Sequence, residues 1–275
     1  MTEDVYLCQI NDLVSCGACC GLYNIENISY EYLTDILTYR TVIFQKIPRT
    51  TEDILKFKEN IEAKENQNRP FIDFHHCPFI GMVGEKKSRV GCLLHPLNEG
   101  NKGIDFRGLS FYGGMACRIY FCPSCKKLPK SYKEIVRDLS ENWYEFGLII
   151  TETKMLNTFF KELENCIGKP IDREEIVHHT SRKAIIKKFL RLKFNWQFKL
   201  KSASLCNYFF EDDQYLKPCI DYQSIASMPS KHDLILRELN SNFNYIDELK
   251  ESENILDKIF DELKHSYSDK KNERF

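Results

Sequence analysis

The hydrophobic rhythm of the chain changes partway along its length. From Pro129 onward, apolar residues recur at helical spacing: Ile135, Val136, Leu139, Trp143 and Phe146, then Leu156, Phe159, Phe160 and Leu163. Residues three and four apart share one face of a helix, so each run predicts a buried stripe. Ser131 with Glu134 reads as a capping box for the first helix, and Gly168 with Pro170 stops the second. Asp172 and Glu175 open a third, with Ile176, Ile185, Ile186, Phe189 and Leu190. Beyond a loop through Pro218 and Pro229, Ser230 caps a fourth bearing Leu234, Leu239 and Phe243. A fifth, from about Ser252, carries Leu256, Ile259, Phe260 and Leu263.

Upstream the pattern is shorter and more broken. "NISYEYLTDILTYRTVIF" predicts one helix, and "TTEDILKFKENIEAKENQN" an exposed one opened by Thr50 and Asp53. "RPFIDFHHCPFIG" and "RVGCLLHP" read as short strands or extended turns among cysteines and glycines. The shift near residue 128 divides the chain into 1–127 and 128–275, regions that can still pack as one unit. The expected fold is mainly α: an irregular cysteine-rich metal-binding core in the N-terminal half, then a helical C-terminal half.

Composition narrows the possibilities only at one point. The 275 residues carry a net charge of −1, with 43% hydrophobic and 29% charged residues, ordinary values for a globular chain. No run approaches the roughly 20 apolar residues that span a bilayer. The acidic start "MTEDVYLCQINDLV" lacks the apolar core of a secretory signal. The reading is a cytoplasmic protein without membrane insertion. Twelve cysteines are then conspicuous, because thiols stay reduced in that compartment. Eight of the twelve fall between Cys16 and Cys125 in tight groups, which favours metal binding over scattered packing or disulfides.

The groups have ligand spacing. Cys16 and Cys19 are separated as in zinc knuckles, and Cys20 follows at once; adjacent side chains diverge, so Cys20 points to a different ion or a different corner of a cluster. Single thiols come at Cys77 and Cys92, and a last group holds Cys117, Cys122 and Cys125. Thiolates suit zinc, iron–sulfur clusters and copper(I).

These motifs resemble the CxxCxxCC-type zinc- or iron-chelating domain proteins, a family that includes flagellin lysine N-methylases. The chain has "CGACC" at Cys16–Cys20, "CPFI" from Cys77, "GCLLHP" around Cys92 and "CRIYFC" from Cys117 to Cys122, in the family's order. The resemblance covers roughly residues 13–125 and implies a zinc or iron-containing centre held by Cys16, Cys19, Cys20, Cys77, Cys92, Cys117 and Cys122. Where the family often has a further cysteine, this chain has Leu13. Cys125 or Cys8 supplies the eighth ligand, with Cys125 preferred for its nearness to a matched group. Zinc and iron–sulfur both remain open, with a lean to iron–sulfur. The role is structural or redox; the alternative implied by the methylase relatives is alkylation of a protein lysine with S-adenosylmethionine.

Other features have plainer readings. His75, His76 and His95 flank the thiols and read as supporting residues rather than ligands. Arg118 follows a matched cysteine and reads as charge balance. Residues 182–201 hold eight Lys/Arg and no acid, with Phe189, Phe194, Trp196 and Phe198 interleaved. That pattern suits nucleic acid or a membrane surface. Residues 233–262, with nine acids against three bases, offer an internal partner, and internal packing is the preferred reading. Cys166, Cys206 and Cys219 lack ligand spacing. No phosphate loop or nucleophile elbow is present, and no donor site for methylation is legible. Closing long loops between the thiols costs entropy, so the centre is expected to supply much of the N-terminal half's stability.

Overall fold

The computed structural model describes residues 5–65, 68–200 and 219–268. The chain is mainly helical, with one two-stranded hairpin among the described residues. It parts into two compact units. The N-terminal unit is Tyr6–Cys122 with Ser140–Leu148; the helical unit is Pro123–Leu139 with Ile149–Phe275, together with Met1–Val5. The division falls at Cys122, not at 127/128, and a short later segment belongs with the first unit.

In the N-terminal unit, α1 (Tyr30–Lys46) begins at Ser29, whose hydroxyl accepts from the Tyr32 amide. α2 (Thr51–Lys64) begins at Thr50, whose Oγ1 accepts from the Asp53 amide at 3.1 Å, the cap expected from sequence. β1 (Ile80–Val83) and β2 (Arg89–Cys92) pair antiparallel, with Ile80 opposite Cys92. The Thr41 hydroxyl accepts from the Met82 amide at 2.8 Å and so ties α1 to β1. Phe44, Ile54, Phe57, Ile61, Phe79, Leu93 and Leu94 form one buried cluster. The Phe57 ring meets Phe44 edge-on at 5.1 Å and stacks with Phe79 at 5.8 Å. This half is therefore less irregular than expected: two capped helices and a hairpin enclose an apolar core of their own. A short helix, α3 (Gly113–Ile119), follows.

The helical unit contains α4 (Pro123–Lys127) and α5 (Lys130–Leu139). α6 (Trp143–Ile150) lies across the division between the units. α7 (Thr153–Ile167), α8 (Arg173–Val177), α9 (Thr180–Asn195), α10 (Asp233–Glu238) and α11 (Ile246–Ser268) complete it. Phe159 stacks on Phe189 at 3.7 Å and packs against Phe160 and Phe260. Gly168 ends α7 at a φ of 70°, as its position predicted.

Several sequence expectations are corrected. Ser131 lies inside α5, and no capping box forms, since the Lys133 amide already bonds the Pro129 carbonyl. Proline holds a helical φ in advance, which lets the helix begin earlier. Trp143 and Phe146 belong to α6, not to the helix of Ile135. The helix opened by Asp172 ends at Val177, and α9 starts afresh with His179 as its cap, accepting from the Arg182 amide. α10 ends at Glu238, so Leu239 and Phe243 lie beyond it, and His232 rather than Ser230 is its N-cap. α11 starts at Ile246, before Ser252.

Candidate metal centre

The first cysteine group sits on a tight turn. Ala18–Cys20 form a single 3-10 turn closed by Gly21 at a φ of 73°. A Cβ at Gly21 would lie 2.1 Å from the His75 carbonyl oxygen, so only glycine lets residues 75–77 pass this closely. The passage is fixed by the Cys77 amide, which donates to the Cys20 carbonyl at 2.8 Å. His76 supports it. Its Nε2 faces Arg40 Nη2, a donor only, at 2.6 Å, which leaves Nδ1–H to donate to the Gly21 carbonyl at 2.7 Å. Burial, then the Arg40 charge, pushes the His76 pKa down to about 3, so the ring is neutral and both nitrogens are engaged. It positions the backbone and is not a ligand.

Four segments bring their thiols to this turn. Cys20 is half-buried, and its pKa is raised well above the ordinary value by loss of solvent first, then by the nearby Cys77, Cys92, Cys117 and Cys16. Cys92 is pushed up to about 12 by burial and by Cys77 and Cys117; the Leu94 amide and the Arg107 guanidinium oppose this. Cys77 is pushed up to about 11, again chiefly by burial, with the Phe79 amide and Arg40 acting against it and Cys117 adding to it. Cys20 and Cys92 also pack against the Phe44–Phe79 core of which Cys77 is a member. Cys117 stands exposed on α3, with Ser110 Oγ 3.1 Å from its sulfur.

A second group of thiols gathers about Cys19, with Cys16 near both groups. The Cys19 thiol is hydrogen-bonded with Cys122, which is the largest cause raising its pKa; burial and the nearby Cys16 thiol follow. Cys8 is pushed up to about 11 by burial and by Cys122. The Cys16 amide donates to the Cys8 carbonyl at 2.9 Å, and Gln9 bridges Ser15 antiparallel, so these two backbones run side by side. Cys125, on α4, belongs to the helical unit, where its carbonyl accepts from Lys133 Nζ at 2.9 Å.

The seven cysteines expected as ligands are thus all neighbours of other thiols. Among the described residues, however, no group of three or more His, Cys, Asp or Glu is arranged to hold a metal ion. The thiols are gathered without being closed on a common point. The donor type and the grouping suit zinc, or an iron–sulfur cluster held by four thiolates.

Cations missed by the sequence reading lie beside the thiols. Arg107 donates to Asp105 at 2.7 Å, and the Cys92 and Cys117 thiols contribute to its raised pKa, after Asp105 itself. Arg40 is fully buried, paired with Glu65, and donates to the Cys77 carbonyl at 3.1 Å. Arg118, to which sequence assigned charge balance, binds Asp105 at 2.8 Å instead. Those two guanidiniums hold the Asp105 carboxyl well below the usual range, with Arg107 the principal cause. His75 stacks on Phe111 at 4.3 Å, and His95 Nδ1 accepts from the Leu97 amide. No spacing rule could have singled out Arg40 or Arg107, since each acts through tertiary proximity.

Residues 182–195 of the basic stretch lie on α9, in the helical unit, residues 196–200 follow it, and residue 201 is outside the described residues. Arg182 is buried, donates to the Ser266 carbonyl at 2.7 Å and sits 3.9 Å over the Tyr267 ring. Lys193 pairs with Glu152 at 3.0 Å, and Lys188 with Glu262 at 3.4 Å. These three cations face partners within the same unit; of the two acids among them, Glu262 lies in the acidic segment 233–262 and Glu152 does not. Cys166 and Cys219 are exposed single thiols, and Cys206 lies outside the described residues.

No family model matches the chain, and neither a curated protein nor a solved structure is found to be similar to it.

Proposed function

We propose that the N-terminal unit binds a transition metal through thiolates, as zinc or as an iron–sulfur centre, in a structural or redox role. The observation that carries the reading is that Cys16, Cys19, Cys20, Cys77, Cys92, Cys117 and Cys122, from four separate segments, each come near other thiols, where thiolates would repel one another. Bringing such groups together away from water disfavours their charged forms, so without metal Cys19, Cys20, Cys77 and Cys92 are held protonated. A bound cation reverses this: it stabilises the thiolates and displaces their protons. Arg107 and Arg40 would offset the residual negative charge.

The test is anaerobic purification of the full chain followed by elemental and sulfide analysis. The expected result is near-stoichiometric zinc, or iron with sulfide and a broad visible absorbance. Only traces of any transition metal, both as purified and after reconstitution, would overturn the reading.

A further inference from the structure

We infer that His232 is a proton-operated clasp: with both ring nitrogens protonated it ties the chain entering α10 to α7 and α11, and loss of one proton loosens that entry. The clasp lies in the helical unit and does not depend on the metal reading.

The His232 ring is buried and lies nearly flat against Phe260, with 5.6 Å between ring centres and 11° between their planes. A carboxylate stands at each nitrogen. Asp257 Oδ1, from α11, is 2.7 Å from Nε2. Glu162 Oε2, from α7, is 3.4 Å from Nδ1. Nδ1 and Glu162 Oε2 are shut off from solvent, and beyond each other they have no hydrogen-bond partner among the described residues. An ionised carboxylate only accepts, and a neutral imidazole carries a single N–H. Whichever nitrogen keeps that proton, the other turns a lone pair toward a carboxylate where little water reaches to soften the repulsion. The imidazolium donates to both, so the geometry suits the charged ring.

The surrounding charges agree. Glu162 and Asp257 bring two negative charges, and Lys231 Nζ, 2.6 Å from Asp257, brings one positive. A charged ring balances the group, and a neutral ring leaves one negative charge over. Farther along α11, Glu253 and Asp261 bear on Lys231, and Glu253 accepts from the Ser230 hydroxyl at 2.6 Å. On α10 itself, Asp233 pairs with Arg237 and accepts from the Tyr222 hydroxyl at 2.9 Å. Cys166, on α7, neighbours Glu162. Burial works against the charged ring, but the two carboxylates outweigh it and leave its pKa raised.

The ring sits where its movement reaches the backbone. Ser230, Lys231 and His232 in succession anchor the entry of α10 to α11, and His232 also faces α7. The His232 amide donates to Ser230 Oγ at 3.1 Å, and its carbonyl accepts from the Leu236 amide at 2.9 Å at the start of the helix. Because the folded-state pKa is raised, the tie is complete below about pH 6.5 and is lost as pH rises through the folded value. Linkage fixes the size of the loss: protection falls about tenfold for each unit by which the folded pKa exceeds the ordinary one.

The experiment follows hydrogen exchange of the full chain from about pH 5 to 9, corrected for the intrinsic rate at each pH, with the His232 ring titrated by NMR in the same buffers. Peptides covering residues 230–238 should keep their protection up to about pH 6.5 and lose it above, by the factor that the measured ring pKa requires. Glu162→Gln removes one carboxylate at nearly constant size and should move the midpoint to lower pH. His232→Asn should abolish the dependence. Ser230→Ala, which cuts a tie that needs no histidine proton, should lower protection by the same factor at every pH. A ring pKa at or below the ordinary 6.5 overturns the clasp, as does protection of 230–238 that ignores pH. So does a decline that survives in His232→Asn, or one spread equally over α7, α9 and α11. The wild-type measurement decides the matter even if a variant fails to fold.

Discussion

In the helical unit, Lys193 and Glu152 lie buried 3.0 Å apart, each of the opposite sign to the other. In the N-terminal unit, Cys77 is buried, and the half-buried Cys19, Cys20 and Cys92 lie near thiols like themselves. The first arrangement is electrostatically complete within the chain. The second is complete only when the thiols stay protonated or a cation joins them. Like groups gathered in one place, with only Arg40 and Arg107 to offset them, are what the proposed metal reading rests on. The composition of the basic stretch on α9 also suits nucleic acid, yet several of its cations have partners within its own unit.

The contrast extends to what stabilises each unit, and variants can break it. Phe57 is buried between Phe44 and Phe79, so Phe57→Ala should cost about 3–5 kcal/mol in metal-free protein. Urea unfolding followed by hydrogen exchange on α2 reads this. If metal-free protein shows no protection there to lose, the N-terminal core does not stand alone, and the entropy argument for metal-dependent folding is restored.

Lys193→Ala leaves the Glu152 carboxylate buried without its ammonium partner and should destabilise the helical unit by about 3–5 kcal/mol. Replacing both members with methionine should recover most of that loss, because two apolar side chains leave no uncompensated charge. A double variant as unstable as the single one would mean that the pair is not the complete unit described here.

A smaller effect comes from His232, whose ring lies 2.7 Å from Asp257 and 3.4 Å from Glu162, with Lys231 also bonded to Asp257. Burial pulls its pKa down, but the two carboxylates outweigh burial and leave it raised above 6.5. A raised folded-state value means that its stabilisation is fully present below about pH 6.5 and fades as pH rises through the folded pKa. His232→Asn should flatten that alkaline decline in Tm. Parallel wild-type and variant profiles would remove His232 as the cause. The smallest effect is expected at the half-exposed Lys188–Glu262 pair, where Lys188→Ala should change unfolding free energy by about 0–1 kcal/mol.

Much of the framework was legible along the chain because it depends on neighbours in sequence. The Thr50 cap, the Gly168 stop and the buried stripe of α7 follow from spacing and local hydrogen bonding. Boundaries failed where a local signal had a competitor: Pro129 displaced Ser131 at the start of α5, and the His178–His179 pair divided what spacing joined. The apolar core around Phe57 was missed because its members come from two helices and a hairpin, none of them with a long hydrophobic run.

The sequence by itself determined where the thiols lie along the chain, their clustering and the glycines beside them. It also determined that Cys19 and Cys20, being adjacent, cannot point the same way. Tertiary structure decided who meets whom. Cys8 is more than a hundred residues from Cys122, yet their thiols are neighbours, while Cys125, three residues from Cys122, falls in the other unit. Arg40 reaches the Cys77 backbone from the middle of α1, and Arg107 reaches Cys92 and Cys117 from a turn with no motif. Hydrophobic periodicity and capping act over a few residues and are written locally. Electrostatic and coordination partners are chosen by distance in space, which chain order does not record.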